Sequence, residues 1–167
     1  MLTNLARTAG AIALLVLLAA CGKDNTQNVS KISVDWTGND IAIDAVEDPD
    51  VKGVVCHVAY FNRSLIDRLQ QGNWFEDPSY SAIDCAVSAP QVVIGNINLN
   101  PGGDEIFKKQ TSLIFKSLRI TRVYDKANNT LLYLAHAREL QLGSGKMSLS
   151  AVPLNGVDVT WTNGKPS

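Results

Sequence analysis

Apolar and polar side chains alternate at successive positions through much of this 167-residue chain. The clearest case is a pair of stretches, 32–36 and 41–45, that flank the turn-forming run Thr37-Gly38-Asn39-Asp40. A period of two places every apolar side chain on one face of a strand, whereas an amphipathic helix needs a period of 3.6. The two stretches are therefore predicted to form a β-hairpin.

Six further stretches have the composition of strands: 51–61, 82–87, 92–94, 113–124, 131–137 and 147–154. On a helix, the apolar residues of 113–124 would surround the whole circumference, so a central strand buried on both sides fits better. One short helix is predicted from its cap at Ser64 to Gln71. The fold class predicted is mainly β, an antiparallel β-sandwich or partly open barrel with one or two short helices.

The N-terminus has the organisation of a bacterial export signal. Arg7 precedes an almost wholly apolar run, 9–20, which is too short for the roughly 20 residues of a membrane-spanning helix but typical of a signal peptide. The run ends in Leu18-Ala19-Ala20-Cys21, which resembles the lipobox of lipoproteins. The alternative is an ordinary signal peptide followed by a chance cysteine.

We therefore predict a lipoprotein signal peptide over residues 1–20 and a lipid on Cys21. Gly22 follows where inner-membrane lipoproteins of enterobacteria typically carry Asp, which favours the outer membrane. Residues 21–30 are predicted to form the lipidated cysteine and a flexible tether, residues 31–160 a β domain, and residues 161–167 a C-terminal tail.

The charge balance excludes some classes of partner. The chain has 15 basic and 16 acidic residues, and loss of Arg7 with the signal peptide leaves a net charge of −2. Such a balance indicates neither nucleic-acid binding nor electrostatic docking onto anionic lipid. Attachment to a membrane is therefore expected through the lipid on Cys21.

Cys56 and Cys85 remain as an even pair once Cys21 is set aside. In an oxidising compartment a disulfide is the default, and it would contribute roughly 3.5 kcal/mol by closing a loop of about 30 residues. The alternative is two buried thiols. No metal site is predicted, because the cysteines and the two histidines lack the spacing of zinc ligands.

The basic residues near the predicted central strand are the candidate binding site: Lys108, Lys109, Lys116, Arg119 and Arg122. Charged side chains on a buried strand are costly unless they are paired or open into a cleft. Because residues alternate along a strand, Lys116 and Arg122 would face one way and Arg119 the other, which disfavours one shared anion pocket. Salt bridges to carboxylates are the favoured alternative.

Other candidate groups have simpler interpretations. Asp44, Glu47, Asp48 and Asp50 could hold a weak calcium ion, but an Asx-type turn at Asp48 is favoured. His57 and His136 could act as base or ligand, but packed, hydrogen-bonded histidines are favoured. The run Gly143-Ser144-Gly145-Lys146 lacks the first glycine of a phosphate loop, and no nucleophile elbow occurs. No catalytic residue or cofactor is therefore predicted.

Several sequence stretches follow one another in a fixed order over about residues 31–154. They are DPDV (48–51), the cysteines at 56 and 85, FKKQTSLIFKSL (107–118), RVYD (122–125), YLA (133–135) and SAVP (150–153). This pattern resembles the CreA family of periplasmic proteins. The resemblance implies a periplasmic location and carries no assigned catalytic residues onto this chain.

Three functions remain as hypotheses. The first is a non-enzymatic binding or accessory module that contacts another envelope protein or a small ligand. The second is an envelope hydrolase with an unrecognised site centred on Lys116 or His136. The third is structural packing of the envelope.

Overall fold

The computed structural model describes residues 25–36, 38–62, 81–110, 117–137 and 147–166, and the regular elements in these ranges are strands. In chain order they are β1 (Thr26–Ser33), β2 (Asp40–Glu47), β3 (Val51–Lys52), β4 (Val54–Asn62), β5 (Ser81–Val87), β6 (Gln91–Ile94), β7 (Asp104–Gln110), β8 (Ser117–Asp125), β9 (Thr130–Ala137), β10 (Met147–Pro153) and β11 (Asp158–Trp161).

The strands form three sheets. The first sheet has the order β1-β2-β4-β5, the second β10-β9-β8-β7, and the third β11-β6-β3. All pairings are antiparallel except that of β11 with β6. The arrangement is sandwich-like and the described strands close no barrel, so the mainly β, antiparallel prediction is confirmed.

The predicted hairpin is present as β1 and β2. Ile32 lies opposite Ile41, and Asp35 accepts hydrogen bonds from the backbone and side-chain nitrogens of Asn39, which closes the turn. The strand begins earlier than expected, because residues 26–28 pair with residues 44–46 of β2 before a bulge near Val29. The tether predicted over 21–30 is therefore too long, since its last five residues belong to the domain.

The predicted strand 51–61 is in fact two strands in different sheets. Gly53 separates them with a φ of +90°, and a Cβ atom there would lie 2.5 Å from the backbone oxygen of Gln91. The positive φ lets the chain leave β3 in the third sheet and enter β4 in the first. Val51, Val54 and Val58 are all buried in the same core.

The predicted strand 113–124 corresponds to β8, a central strand between β7 and β9. Residues 113–116 lie outside the described ranges. Alternate residues of β8 face the core, among them Leu118, Ile120 and Tyr124. The residues on the opposite face of β8 are half-buried. The strand is therefore fully buried on one face only, whereas the sequence predicted burial on both faces.

Two strands were not predicted. The first, β7, contains a bulge between Glu105 and Phe107 that places Ile106 and Phe107, adjacent in sequence, both in the core. The second, β11, ends at Trp161, whose ring packs edge-on against Tyr124 with centroids 5.2 Å apart. The C-terminal tail predicted to start at residue 161 therefore begins later.

The predicted disulfide joins β4 to β5. Cys56 and Cys85 are directly opposite in the strand register, with Cα atoms 4.0 Å apart and a sulfur–sulfur distance of 2.10 Å. Both residues are buried in the core of the domain. The bond therefore fastens the edge strand of the first sheet to its neighbour.

Several predictions fall on residues outside the described ranges. They are the signal peptide over residues 1–20, the lipid on Cys21, the helix from Ser64 to Gln71, and Lys116. Within the described ranges, no helix is long and apolar enough to cross a membrane.

Candidate functional site

The candidate basic residues are divided between the two faces of the second sheet. Arg122 points into the core, whereas Arg119 of the same strand points to the outer face with Lys108 of β7. Lys109 lies in β7, but the structure does not describe its side chain. Lys116 lies outside the described residues. The prediction that Arg119 and Arg122 face opposite ways is confirmed. The binding role of the set stays a prediction.

Arg122 is the largest fully buried side chain of the described core. Its Nη1 atom donates to Oδ1 of Asp48 at 2.5 Å, and its Nη2 atom donates to Oδ2 of Asp104 at 2.5 Å. Oδ2 of Asp50 lies 3.5 Å from the same Nη2 atom. Tyr133 donates its phenolic hydrogen to the second oxygen of Asp48. These five side chains are called the arginine network below.

Local backbone structure holds the carboxylates of the arginine network in place. Oδ1 of Asp48 accepts hydrogen bonds from the backbone nitrogens of Asp50 and Val51, which is the predicted Asx-type turn. Oδ2 of Asp104 accepts a hydrogen bond from the backbone nitrogen of Asn98. These backbone hydrogen bonds help to orient both carboxylates toward the guanidinium group.

In the arginine network one guanidinium group faces three acidic side chains, those of Asp48, Asp50 and Asp104. Burial alone would lower the pKa of Arg122, but the charges of Asp48 and Asp104 and their hydrogen bonds outweigh burial and raise it. Burial, and next the negative charge of Asp48, raises the pKa of Tyr133. With its donors directed at resident carboxylates, Arg122 is a structural residue, and the salt-bridge alternative is confirmed for it.

The four acidic residues considered for calcium do not meet at one point. Asp44 is buried and accepts hydrogen bonds from Tyr60 and Asn28, while Asp48 and Asp50 face Arg122 and Glu47 is exposed. Among the residues the structure describes, no three His, Cys, Asp or Glu side chains are grouped to hold a metal ion.

The outer face of the second sheet carries a second group of polar residues. Lys108, Arg119 and His136 lie opposite one another on β7, β8 and β9, and we call them the basic row. Glu105 accepts a hydrogen bond from Arg119 at 2.5 Å, which confirms the salt-bridge alternative for this residue as well. The hydroxyl oxygen of Thr121 lies 3.0 Å from the Nε2 atom of His136.

The same outer face becomes apolar toward β10. Leu134 lies beside Thr121 in the register, and Leu149 lies beside Leu134. Met147, opposite His136, is 67% exposed and Leu149 is 59% exposed. The outer face is thus basic at Lys108, Arg119 and His136 and apolar at Leu134, Met147 and Leu149.

The two histidines have different environments. His136 is half-buried and paired with Thr121, which confirms the packed, hydrogen-bonded interpretation. His57 is exposed on the outer face of the first sheet, opposite Asp84, so the same interpretation is wrong for His57. The error arises because β4 buries the alternate residues Cys56 and Val58 and turns His57 to solvent.

The turn of the β1–β2 hairpin exposes large apolar side chains. Trp36 is 91% exposed, and Ile32 and Val34 are each 51% exposed. We call these three residues the hairpin tip. Sequence alternation predicted that Ile32, Val34 and Trp36 share one face, but it did not indicate that this face is exposed, because that depends on the edge position of β1 in the sheet.

Together these features define a class of protein. It is an all-β domain of three sheets that contains a disulfide and a buried arginine–carboxylate network. The family model described as CreA protein matches residues 29–157. The chain belongs to the CreA family.

Named relatives agree with the family match. The chain is 40% identical over 116 residues to Protein CreA of Escherichia coli (strain K12), which covers 68% of this chain and 72% of the relative. Protein CreA of Escherichia coli O6:H1 and Protein CreA of Escherichia coli O157:H7 match to the same extent. No solved structure matches the chain significantly.

Proposed function

We propose that this CreA-family protein is a non-enzymatic binding or accessory module of the bacterial cell envelope. The lipid on Cys21 holds it to the periplasmic face of a membrane, in the outer membrane rather than the inner. It contacts another envelope protein through the hairpin tip. The lipobox-like run before Cys21 supports the anchor, and the exposure of Trp36 supports the contact.

The exposure of Trp36 carries this proposal. Trp36 is 91% exposed, so burial in the core of its own domain does not stabilise it. Tryptophan is among the side chains most enriched in the energetic centres of protein interfaces. Ile32 and Val34 extend the apolar area beside it. A contiguous exposed apolar area of this kind is typical of an interaction site.

The position of the hairpin tip supports a partner away from the anchoring membrane. Asn25 is hydrogen-bonded to Glu47 and lies four residue steps after Cys21, so the distance between these two residues is at most about 14 Å. The hairpin tip begins at Ile32 near the far end of β1, whose eight residues extend about 26 Å from Asn25, and Val34 and Trp36 follow the strand. An anchor at one end of β1 leaves the other end directed toward the periplasm.

Site-specific crosslinking in cells tests the proposal. A photoreactive phenylalanine analogue at position 36 should yield one reproducible crosslinked envelope protein, and V34D in the same chain should abolish that product. The same analogue at the exposed Thr160 of β11 is the control. Equal and nonspecific labelling from positions 36 and 160 would reject the contact at the hairpin tip.

An envelope hydrolase is the second candidate, because Thr121 and His136 place a hydroxyl group 3.0 Å from an imidazole. That distance suits a nucleophile and its base. The pair lies on an outer sheet face beside the exposed Met147, whereas covalent catalysis benefits from a site that excludes water. If the hydrolase hypothesis holds, H136A abolishes an envelope phenotype in a chain that still folds, and W36A leaves it unchanged.

A further inference from the structure

The basic row places three basic side chains side by side on the outer face of the second sheet, where Arg119 is paired with Glu105 and His136 with Thr121. Lys108 lies opposite Arg119, and Arg119 lies opposite His136, on three adjacent strands. The like charges of Lys108 and Arg119 lie directly opposite one another, a pairing that destabilises a sheet. The row spans only about 10 Å across two strand spacings. An anionic group above the row would be within reach of donors from all three strands.

Arg119 is incompletely satisfied within the domain. Its Nη1 atom donates to Glu105, but its buried Nε atom has no hydrogen-bond partner. A guanidinium group binds an oxyanion most strongly through two parallel N–H donors. Because the Nε atom is buried, an incoming anion would reach Arg119 at its terminal nitrogens, where it would compete with Glu105.

Apolar side chains adjoin the basic row on one side. Met147 continues the row onto β10, and Leu134 and Leu149 lie one step along the strands from it. The two exposed members of this group, Met147 and Leu149, are well over half exposed. A ligand whose anionic group lies on the row would place an attached apolar chain over these residues.

We propose that the outer face of the second sheet binds a soluble amphiphile with one phosphate or carboxylate group and a short apolar chain. Lys108, Arg119 and His136 receive the anionic group, and Leu134, Met147 and Leu149 receive the chain. The inference goes beyond the proposed contact at the hairpin tip. The hairpin tip takes no part in this site, so either proposal can fail in its test while the other passes.

Titration of the full domain with inorganic phosphate, butyl phosphate and hexyl phosphate tests this site. Backbone amide shifts in NMR should report saturable binding at residues 108, 119 and 136. Hexyl phosphate should bind at least severalfold more tightly than inorganic phosphate, because each buried methylene adds up to about 0.8 kcal/mol, or fourfold. L149S should remove the advantage of the longer chain and keep the binding of phosphate.

Charge variants make the test specific. R119Q and K108Q should each weaken hexyl phosphate binding by about tenfold, the loss of one charge-assisted contact. E105Q should tighten it, because the competitor for Arg119 is removed. K52Q, which removes an exposed lysine of the third sheet, is the matched control and should change nothing.

Three results would overturn the proposal. One is no saturable binding of hexyl phosphate, and another is equal binding by the wild type and R119Q. The third is a protein that binds vesicles containing phosphatidylglycerol but not hexyl phosphate, with vesicle binding abolished by R119Q. That result would assign the face to a membrane surface instead.

Discussion

Arg122 and Asp48 are 74 residues apart in sequence, yet a guanidinium nitrogen of one lies 2.5 Å from a carboxylate oxygen of the other. Their side chains are 1% and 0% exposed. Asp48 follows β2 of the first sheet, whereas Arg122 belongs to β8 of the second. The pair therefore ties the two sheets together inside the core, with Tyr133 and Asp104 as further members of the network.

Loss of Arg122 should strongly destabilise the domain. R122Q leaves Asp48 buried without its cation, and removal of one partner of a buried pair typically costs about 3–5 kcal/mol. The measurement is the free energy of unfolding in urea. R119Q is the matched control on the same strand, because its pair with Glu105 is partly exposed and should contribute less than about 1 kcal/mol. Equal losses in the two variants would contradict a structural role specific to Arg122.

Removal of the disulfide should lower stability without changing the fold. The C56A/C85A double variant should lose about 3.5 kcal/mol, the value expected for a closed loop of this length. Unfolding in urea with and without reductant measures it, and the reduced wild type should approach the variant. A wild-type protein with two titratable thiols after isolation under non-reducing conditions would contradict the bond.

Tyr133 should remain protonated at pH values where ordinary tyrosines ionise. Burial and the charge of Asp48 raise its pKa, so the folded state holds a proton that the unfolded state releases. The stability due to this group is therefore complete below the ordinary tyrosine pKa of about 10 and is lost as the pH rises further. Ultraviolet titration should show a late phenolate transition that Y133F removes, and an unchanged titration in Y133F would contradict the assignment.

Asp125 should titrate at lower pH than an ordinary aspartate. The hydrogen bonds from the side chain and then the backbone of Asn128 lower its pKa, since they favour the carboxylate. The associated stability is present above the ordinary pKa and is lost as the pH falls. In NMR titrations N128A should move the pKa of Asp125 upward, toward the ordinary value. A pKa that is the same in N128A and wild type would exclude the side-chain bond as the cause.

The mature protein should begin at a lipidated Cys21. Mass spectrometry of protein from cells should detect acyl chains on the first residue, and C21S should be released from the membrane fraction, because one residue carries the whole attachment. Without added reductant, the C21S protein should keep the disulfide between Cys56 and Cys85. Loss of the anchor can then be distinguished from loss of folding. An unmodified mature N-terminus, or a retained Met1, would contradict the anchor.

Local patterns predicted the parts of the fold that depend on local chemistry. The alternation around Ile32 and Ile41 predicted the first hairpin, and the Asx-type turn at Asp48 followed from its residue type. The change of sheet at Gly53 was not predictable, because the close approach of Gln91 that requires glycine is a tertiary contact. The bulge before Phe107 likewise breaks the alternation by which a strand is recognised.

The candidate site was predictable only in part. Alternation placed Arg119 and Arg122 on opposite faces, and the cost of a buried charge indicated that Arg122 is either paired or open to a cleft, with pairing favoured. Its partners could not be identified, because Asp48 is distant in sequence and Asp104 lies in a strand that the sequence did not reveal. The basic row depends on the register of three strands, which no single stretch of sequence encodes.

The direct opposition of Cys56 and Cys85 has a consequence for the pairing of β4 with β5. A tight turn sets the register of many hairpins, but β4 ends at Asn62 and β5 begins at Ser81, so no two-residue turn joins them. A slip of one residue would carry one sulfur to the opposite face of the sheet. The disulfide therefore fits the observed register of these two strands and not a register shifted by one residue.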